Sequence, residues 1–209
     1  MPYHGDMNRK IRQFFWYAFL VFAVLEFVAG VVKFGSEQCP SLPMWLDLVF
    51  FSLAAINVLY FVAGHVGAMK ARLSFGIVIV IVGAICWFEA RHTDFDFTAK
   101  AEPMLFGTVP VMLLLMWWSV IGAAYLFWHR VLPLYDARVV ALLTTTVATA
   151  MDFLLQPGAG WLHYFTWFLA FFFIARVLPL KGDSKPVDGL KPLAVLVIFA
   201  VIFALGVVC

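Results

Sequence analysis

Residues 144–158 read TTTVATAMDFLLQPG, and its one carboxylate, Asp152, stands among apolar and small residues with no Lys or Arg near it in sequence. Two more acids have similar surroundings, Glu26 in VFAVLEFVAGV and Glu89 in AICWFEARH. A carboxyl kept from water favours its neutral form unless a cation sits close. One that holds its proton near neutrality can serve as a general acid. Such a group suits protonation of a weakly basic, lipid-soluble substrate, for example an isolated alkene. The structural alternative for Asp152 is an acid bonded to a neighbouring Thr or Trp, with no part in chemistry.

The elements that position these acids follow from composition. The chain has 209 residues, of which 65% are hydrophobic, 18% aromatic and 12% charged. Its mean hydropathy is +0.98, far outside the range of soluble domains. A helix of about 20 apolar residues crosses a hydrocarbon core of roughly 30 Å. Seven runs approach that length, at about 13–32, 44–64, 73–90, 104–128, 138–156, 161–178 and 191–208. We therefore expect an all-α, polytopic membrane bundle of seven transmembrane helices, forming a single integral membrane domain over 1–209. The first run carries Glu26 and is longer than the apolar core of a signal peptide, so it is read as a true helix.

Lys and Arg set the expected orientation. With seven crossings, one side holds Arg9, Lys10, Arg12, Lys70, Arg72, Arg130, Arg138, Arg176, Lys181, Lys185 and Lys191, and the other only Lys33, Arg91 and Lys100. The split is 11 against 3, which places the N-terminus in the cytoplasm and points to a prokaryotic inner membrane. The expected partners are a lipid bilayer and a lipid-soluble molecule, with no nucleic acid. On this topology Glu26, Glu89 and Asp152 all fall toward the outer ends of their helices, with Asp47 and His163 near the outer starts of theirs. A carboxylate at membrane depth costs about 2.5–3.5 kcal/mol on insertion scales and should face the bundle interior or a wet cavity. Three at one level suggest a polar pocket. Thr145, Thr149, Asp152 and Gln156 recur at helical spacing and share one side of the fifth helix. The fourth helix stacks Trp118, Gly122, Tyr125 and His129 in the same way, a stripe best read as helix packing. Cys39, Cys86 and Cys209 show no metal spacing, although Cys39 and Cys209 share a side and could be bridged.

Two stretches carry a family resemblance. FEARHTDFDFTAKAEPMLFGTVPVMLLLMWW, residues 88–118, resembles the carotenoid-biosynthesis membrane family that includes carotenoid 1,2-hydratases and bisanhydrobacterioruberin hydratases. In that family a helix ends in an acid, an aromatic loop follows, and an LFG-x-x-P element opens a Trp-containing helix. Glu89, Thr93, Phe95, Phe97, Leu105, Phe106, Gly107, Pro110 and Trp117 fit that order. MDFLLQP, residues 151–157, is similar to the family's Asp-containing helix end, with Gln156 in place of a second acid. The family's Pro–Asn element has no counterpart in GAGWLHYFTW. The resemblance implies hydration of a terminal isoprenoid double bond without a cofactor: proton addition, a tertiary carbocation, and capture by water. It implies Asp152 as the acid, with Glu89 or Asp94 orienting the water. Trp87, Trp117 and Trp161 would line the cation site, and Thr149, Gln156 and His163 would complete the substrate-binding group. Other carotenoid enzymes become candidate partners.

Other functions weigh less or differ in class. A retinal protein needs a lysine mid-way along the last helix, where only Lys191 stands, at its inner end. A b-type cytochrome needs histidines paired at similar depth across facing helices; His65 and His129 lie at inner ends and His163 at an outer one. A proton- or cation-coupled transporter or channel could use Glu26, Asn57, Glu89 and Asp152, and a non-catalytic assembly subunit is a third class.

Overall fold

The computed structural model describes residues 3–35, 44–92, 103–105, 107–133, 136–156, 158–178 and 190–205. Among these residues are seven helices: α1 (Tyr3–Gly35), α2 (Met44–Val66), α3 (Ala68–His92), α4 (Val111–Val131), α5 (Ala137–Leu155), α6 (Trp161–Val177) and α7 (Leu190–Ala204). Helices α1 to α5 are long and apolar enough to cross a membrane, whereas α6 and α7 are shorter apolar helices of 17 and 15 residues. Large apolar side chains such as Phe14, Val21, Val28, Val80, Phe165 and Phe173 are exposed on the outside. That exterior suits a lipid surround and would be a liability in water.

The fourth helix begins at Val111, not near 104 as its apolar run suggested. The reason is local. Gly107 adopts φ 71, and β1 (Met104–Leu105) pairs antiparallel with β2 (Val109–Pro110), so LFGTVP makes a tight ribbon before the helix can start. The amide of Val111 then donates to the Pro103 carbonyl at 3.0 Å, and Pro110, which has no N–H to lose, sits at the N-cap. A second sharp turn joins α2 to α3. Gly67 takes φ 92 there, and its amide donates to the Ala63 carbonyl at 2.9 Å, the left-handed close of a helix that glycine permits.

Helix α4 is the pillar of the bundle. Every residue from Met116 to Leu126 is buried, as expected for a helix that is apolar all round and covered on all sides. It packs against α2, α5 and α7, and also touches α3 and α6. Against α2 the contact is close: Trp118 Nε1 donates to the Ala55 carbonyl at 3.1 Å, one turn before Gly122. A Cβ on Gly122 would lie 2.5 Å from Val58 Cγ1, so only glycine lets the helices approach this far. The Trp118–Gly122–Tyr125–His129 stripe is thus a packing stripe, and His129 at its end meets the His65 ring at 4.7 Å.

Gly122→Ala is expected to lower unfolding stability in detergent by about 1–3 kcal/mol, the usual cost of overpacking a tight core. Val58→Ala in the same chain should recover much of that loss. Simple additivity of the two changes would show that the α2–α4 approach is not the constraint.

Candidate functional site

Asp152 lies in the last turn of α5 and His163 in the first turn of α6, joined by a short connection. The connection is folded back on itself: the Ala159 amide donates to the Gln156 carbonyl at 3.1 Å, and the His163 amide to the Gly160 carbonyl at 3.0 Å. Tyr164 adds a staple by donating its hydroxyl to the Gln156 carbonyl. Running antiparallel, the two helix ends bring side chains eleven positions apart into contact. His163 Nε2 stands 3.0 Å from Asp152 Oδ2. Its other nitrogen, Nδ1, is 3.5 Å from Glu89 Oε1 at the end of α3.

Each imidazole nitrogen therefore faces a carboxyl. A neutral ring has one N–H and one lone pair, so it bonds both acids only when one of them carries a proton; a protonated ring donates to both. The three groups must share protons, and a proton gained or lost on the Glu89 side can be balanced at His163 and Asp152. Asp152 is 1% exposed, so this partner removes the cost of a lone buried charge. Among the described residues no three His, Cys, Asp or Glu side chains converge to hold a metal, and His163 spends both nitrogens on the carboxyls.

Beside the cluster lies a cavity of about 940 Å³ between the end of α3 and the α5–α6 connection. Ala84, Ile85, Phe88 and Leu162 give it apolar walls, while Glu89, His163 and Gln156 bring polar groups to it. Asp152 is not among the lining residues; it stands behind His163. The Gln156 side-chain carbonyl is buried and has no hydrogen-bond partner among the described residues, a vacancy an incoming polar group can fill. Behind His163 an aromatic block supports α6: Trp167 lies 6.2 Å from the His163 ring, Trp117 stacks on Trp167 at 5.7 Å, and Phe171 touches both.

No family model, curated protein or solved structure matches this chain. The site therefore stands on its own geometry. Glu89, Asp152, His163 and Gln156 come together as one centre. Thr149 is half-buried on the same helix, its hydroxyl without a partner among the described residues. Thr145 differs, donating within its own helix to the Ala141 carbonyl at 2.8 Å. Trp117 belongs to the aromatic block and does not reach the cavity. Trp87 lies outside it, with the Arg91 guanidinium 4.5 Å above its ring, and Trp161 is 77% exposed at the start of α6. Asp94, Thr93, Asp96, Cys39 and Cys209 fall outside the described residues. Glu26, expected at the level of Glu89 and Asp152, is buried on α1 with the Asp47 carboxyl of α2 beside it.

Three residues gained importance over their reading in the sequence. His163 was placed with substrate-binding groups, yet it is the hub between two acids. Phe88 forms part of the cavity wall, and Tyr164 fixes the connection. The signal for His163 was present: an acid one turn before a QPGAG break and a histidine one turn after it must meet if the two helices form a hairpin.

Removing either partner of the closer contact should be costly. Asp152→Asn and His163→Gln, with their double variant, are expected to give a coupling energy of about 1–3 kcal/mol in unfolding measurements, the range for residues in one buried polar network. The Glu89–His163 pair, longer and beside a cavity, should couple more weakly. Equal coupling in both cycles would refute Asp152 as the anchor.

Proposed function

We propose that this chain is a membrane-embedded acid–base enzyme, a cofactor-independent hydro-lyase that adds water to a terminal isoprenoid double bond of a carotene. The observation that carries the reading is the Glu89–His163–Asp152 cluster on the wall of a large, mainly apolar cavity. An apolar chamber accepts a hydrocarbon end, and a proton-sharing cluster supplies the one reagent an isolated alkene needs. The residues on 88–118 and 151–157 that resemble carotenoid hydratases support the same reaction class. In this reading the bundle crosses the prokaryotic inner membrane seven times with its N-terminus cytoplasmic, as the 11-to-3 division of Lys and Arg favours.

The geometry divides the roles differently from the resemblance. Glu89 reaches the cavity and Asp152 does not, so Glu89 is the proton donor. Its O–H bond breaks as a C–H bond forms at the terminal alkene carbon, leaving a tertiary carbocation on the neighbouring carbon. Phe88 presents an aromatic ring on the same wall, which favours that cation. Water adds through oxygen to the cation, and the proton it releases passes to His163 and back to Glu89. The balance is alkene plus water to tertiary alcohol. Asp152 holds the ring of His163 and stabilises its protonated form, a positioning role. Gln156 offers its side-chain carbonyl to the attacking water.

A conducting path has less behind it. Asn57 donates to the carbonyls of Phe15 and Leu53 at 3.0 and 2.8 Å, and Thr145 to Ala141, so these groups serve helix packing.

Expression in a host making lycopene or gamma-carotene should yield a more polar, hydroxylated pigment, and growth in heavy water should place deuterium on the carbon next to the new alcohol. Glu89→Gln should cut product by about 10²–10⁴-fold, the usual worth of a general acid. Asp152→Asn should cost less and shift the pH profile. Unchanged pigment from wild-type protein at normal membrane levels would sink the hydratase reading: altered ion flux would then favour transport, and no change in either an assembly role.

A further inference from the structure

At the opposite end of the bundle from the acid cluster, a second cavity of about 500 Å³ opens between the start of α1, the end of α2 and the start of α7. Arg9 and Arg12 from α1 and Lys191 from α7 line it, and no acid does. Its aromatic walls include Trp16, with the Lys191 ammonium 6.0 Å above the ring. Asn57 pins the floor, joining α1 to α2 through its bond to the Phe15 carbonyl.

Basic residues are common at this end, and most need only a bilayer surface to explain them. Arg72, at the start of α3, and Arg130, at the end of α4, are exposed and line no part of this cavity. Arg9, Arg12 and Lys191 differ because two helices bring them to one concave space. Three cations without a counter-acid in a pocket call for an anion, and guanidinium groups bind phosphate oxygens through paired N–H donors. The volume lies within the range of ligand pockets, and basic pockets between membrane helices suit anionic head groups.

We propose that this cavity is a phosphate-recognition site, taking either the phosphate head group of an anionic lipid or a free phosphate or diphosphate anion. The site is independent of the hydration reading, since it shares no residue with the acid cluster.

The protein purified in detergent tests this directly with two probes, short-chain phosphatidylglycerol and inorganic diphosphate, followed by calorimetry. Saturable binding of the lipid alone assigns a head-group site, and saturable binding of diphosphate assigns a free-anion site. Arg9→Gln with Arg12→Gln should weaken the bound probe at least tenfold. Gly64→Leu should do the same with every charge kept, because Gly64 lines the cavity and a Cβ there meets nothing within 4 Å. Arg72→Gln with Arg130→Gln, which removes as much charge from the same end, should leave binding within about twofold. Absence of saturable binding for both probes would overturn the proposal. So would equal losses in the two double variants, or unchanged binding in Gly64→Leu.

Discussion

A carboxylate in an apolar bundle has to find a proton or a cation, and Asp152 finds His163 at 3.0 Å. That contact fixes more than two side chains. It sets how far α6 slides along α5, because the last turn of one helix must meet the first turn of the other. Once the ring of His163 is held on its Nε2 side, its Nδ1 points to Glu89 on α3, so three helix ends share one polar centre. The cavity is a consequence of the same arrangement: the connection carries Gly158 and Gly160, too small to fill the space in front of the ring.

Helix α4 makes this tolerable for the rest of the fold. It buries eleven consecutive residues and bonds to α2 through Trp118, so the middle of the bundle needs no polar compromise. Trp117, on the same helix, stacks on Trp167 and touches Phe171, which anchors α6 one turn beyond His163. A rigid α6 in turn keeps the imidazole in register with both acids. The central packing and the acid cluster are thus coupled through one aromatic block, which is why Trp117 belongs to the support of the site and not to its lining.

Helical runs were legible in the sequence because apolar length alone encodes them. The start of α4 was not, since Met104 and Leu105 extend the apolar run while Gly107 and Pro110 impose a ribbon that hydropathy does not register. Asp152 and Glu89 stood out as acids in apolar surroundings, and both belong to the centre. The Trp residues were chosen on type and depth, which do not say which way an indole turns; Trp87 and Trp161 turn away. Glu26 shared the expected depth but not the direction, and it lies against Asp47. Depth follows from counting along a helix, whereas direction depends on which helices become neighbours.

Convergence, more than composition, separates a site from a surface here. Charge is divided along the chain so that bases gather at one end and acids at the other, and insertion into a bilayer is enough to select that pattern. Most of the charged residues need no further account. Two groups do: Glu89 and Asp152, brought from α3 and α5 to opposite edges of one imidazole, and Arg9, Arg12 and Lys191, brought from α1 and α7 around one space. Assembling like charges or burying acids opposes folding, so helix packing alone gives no reason to bring them together. A ligand or a reaction does, and the two centres differ in kind as the two problems would: one offers movable protons beside apolar walls, the other fixed positive charge beside aromatic ones.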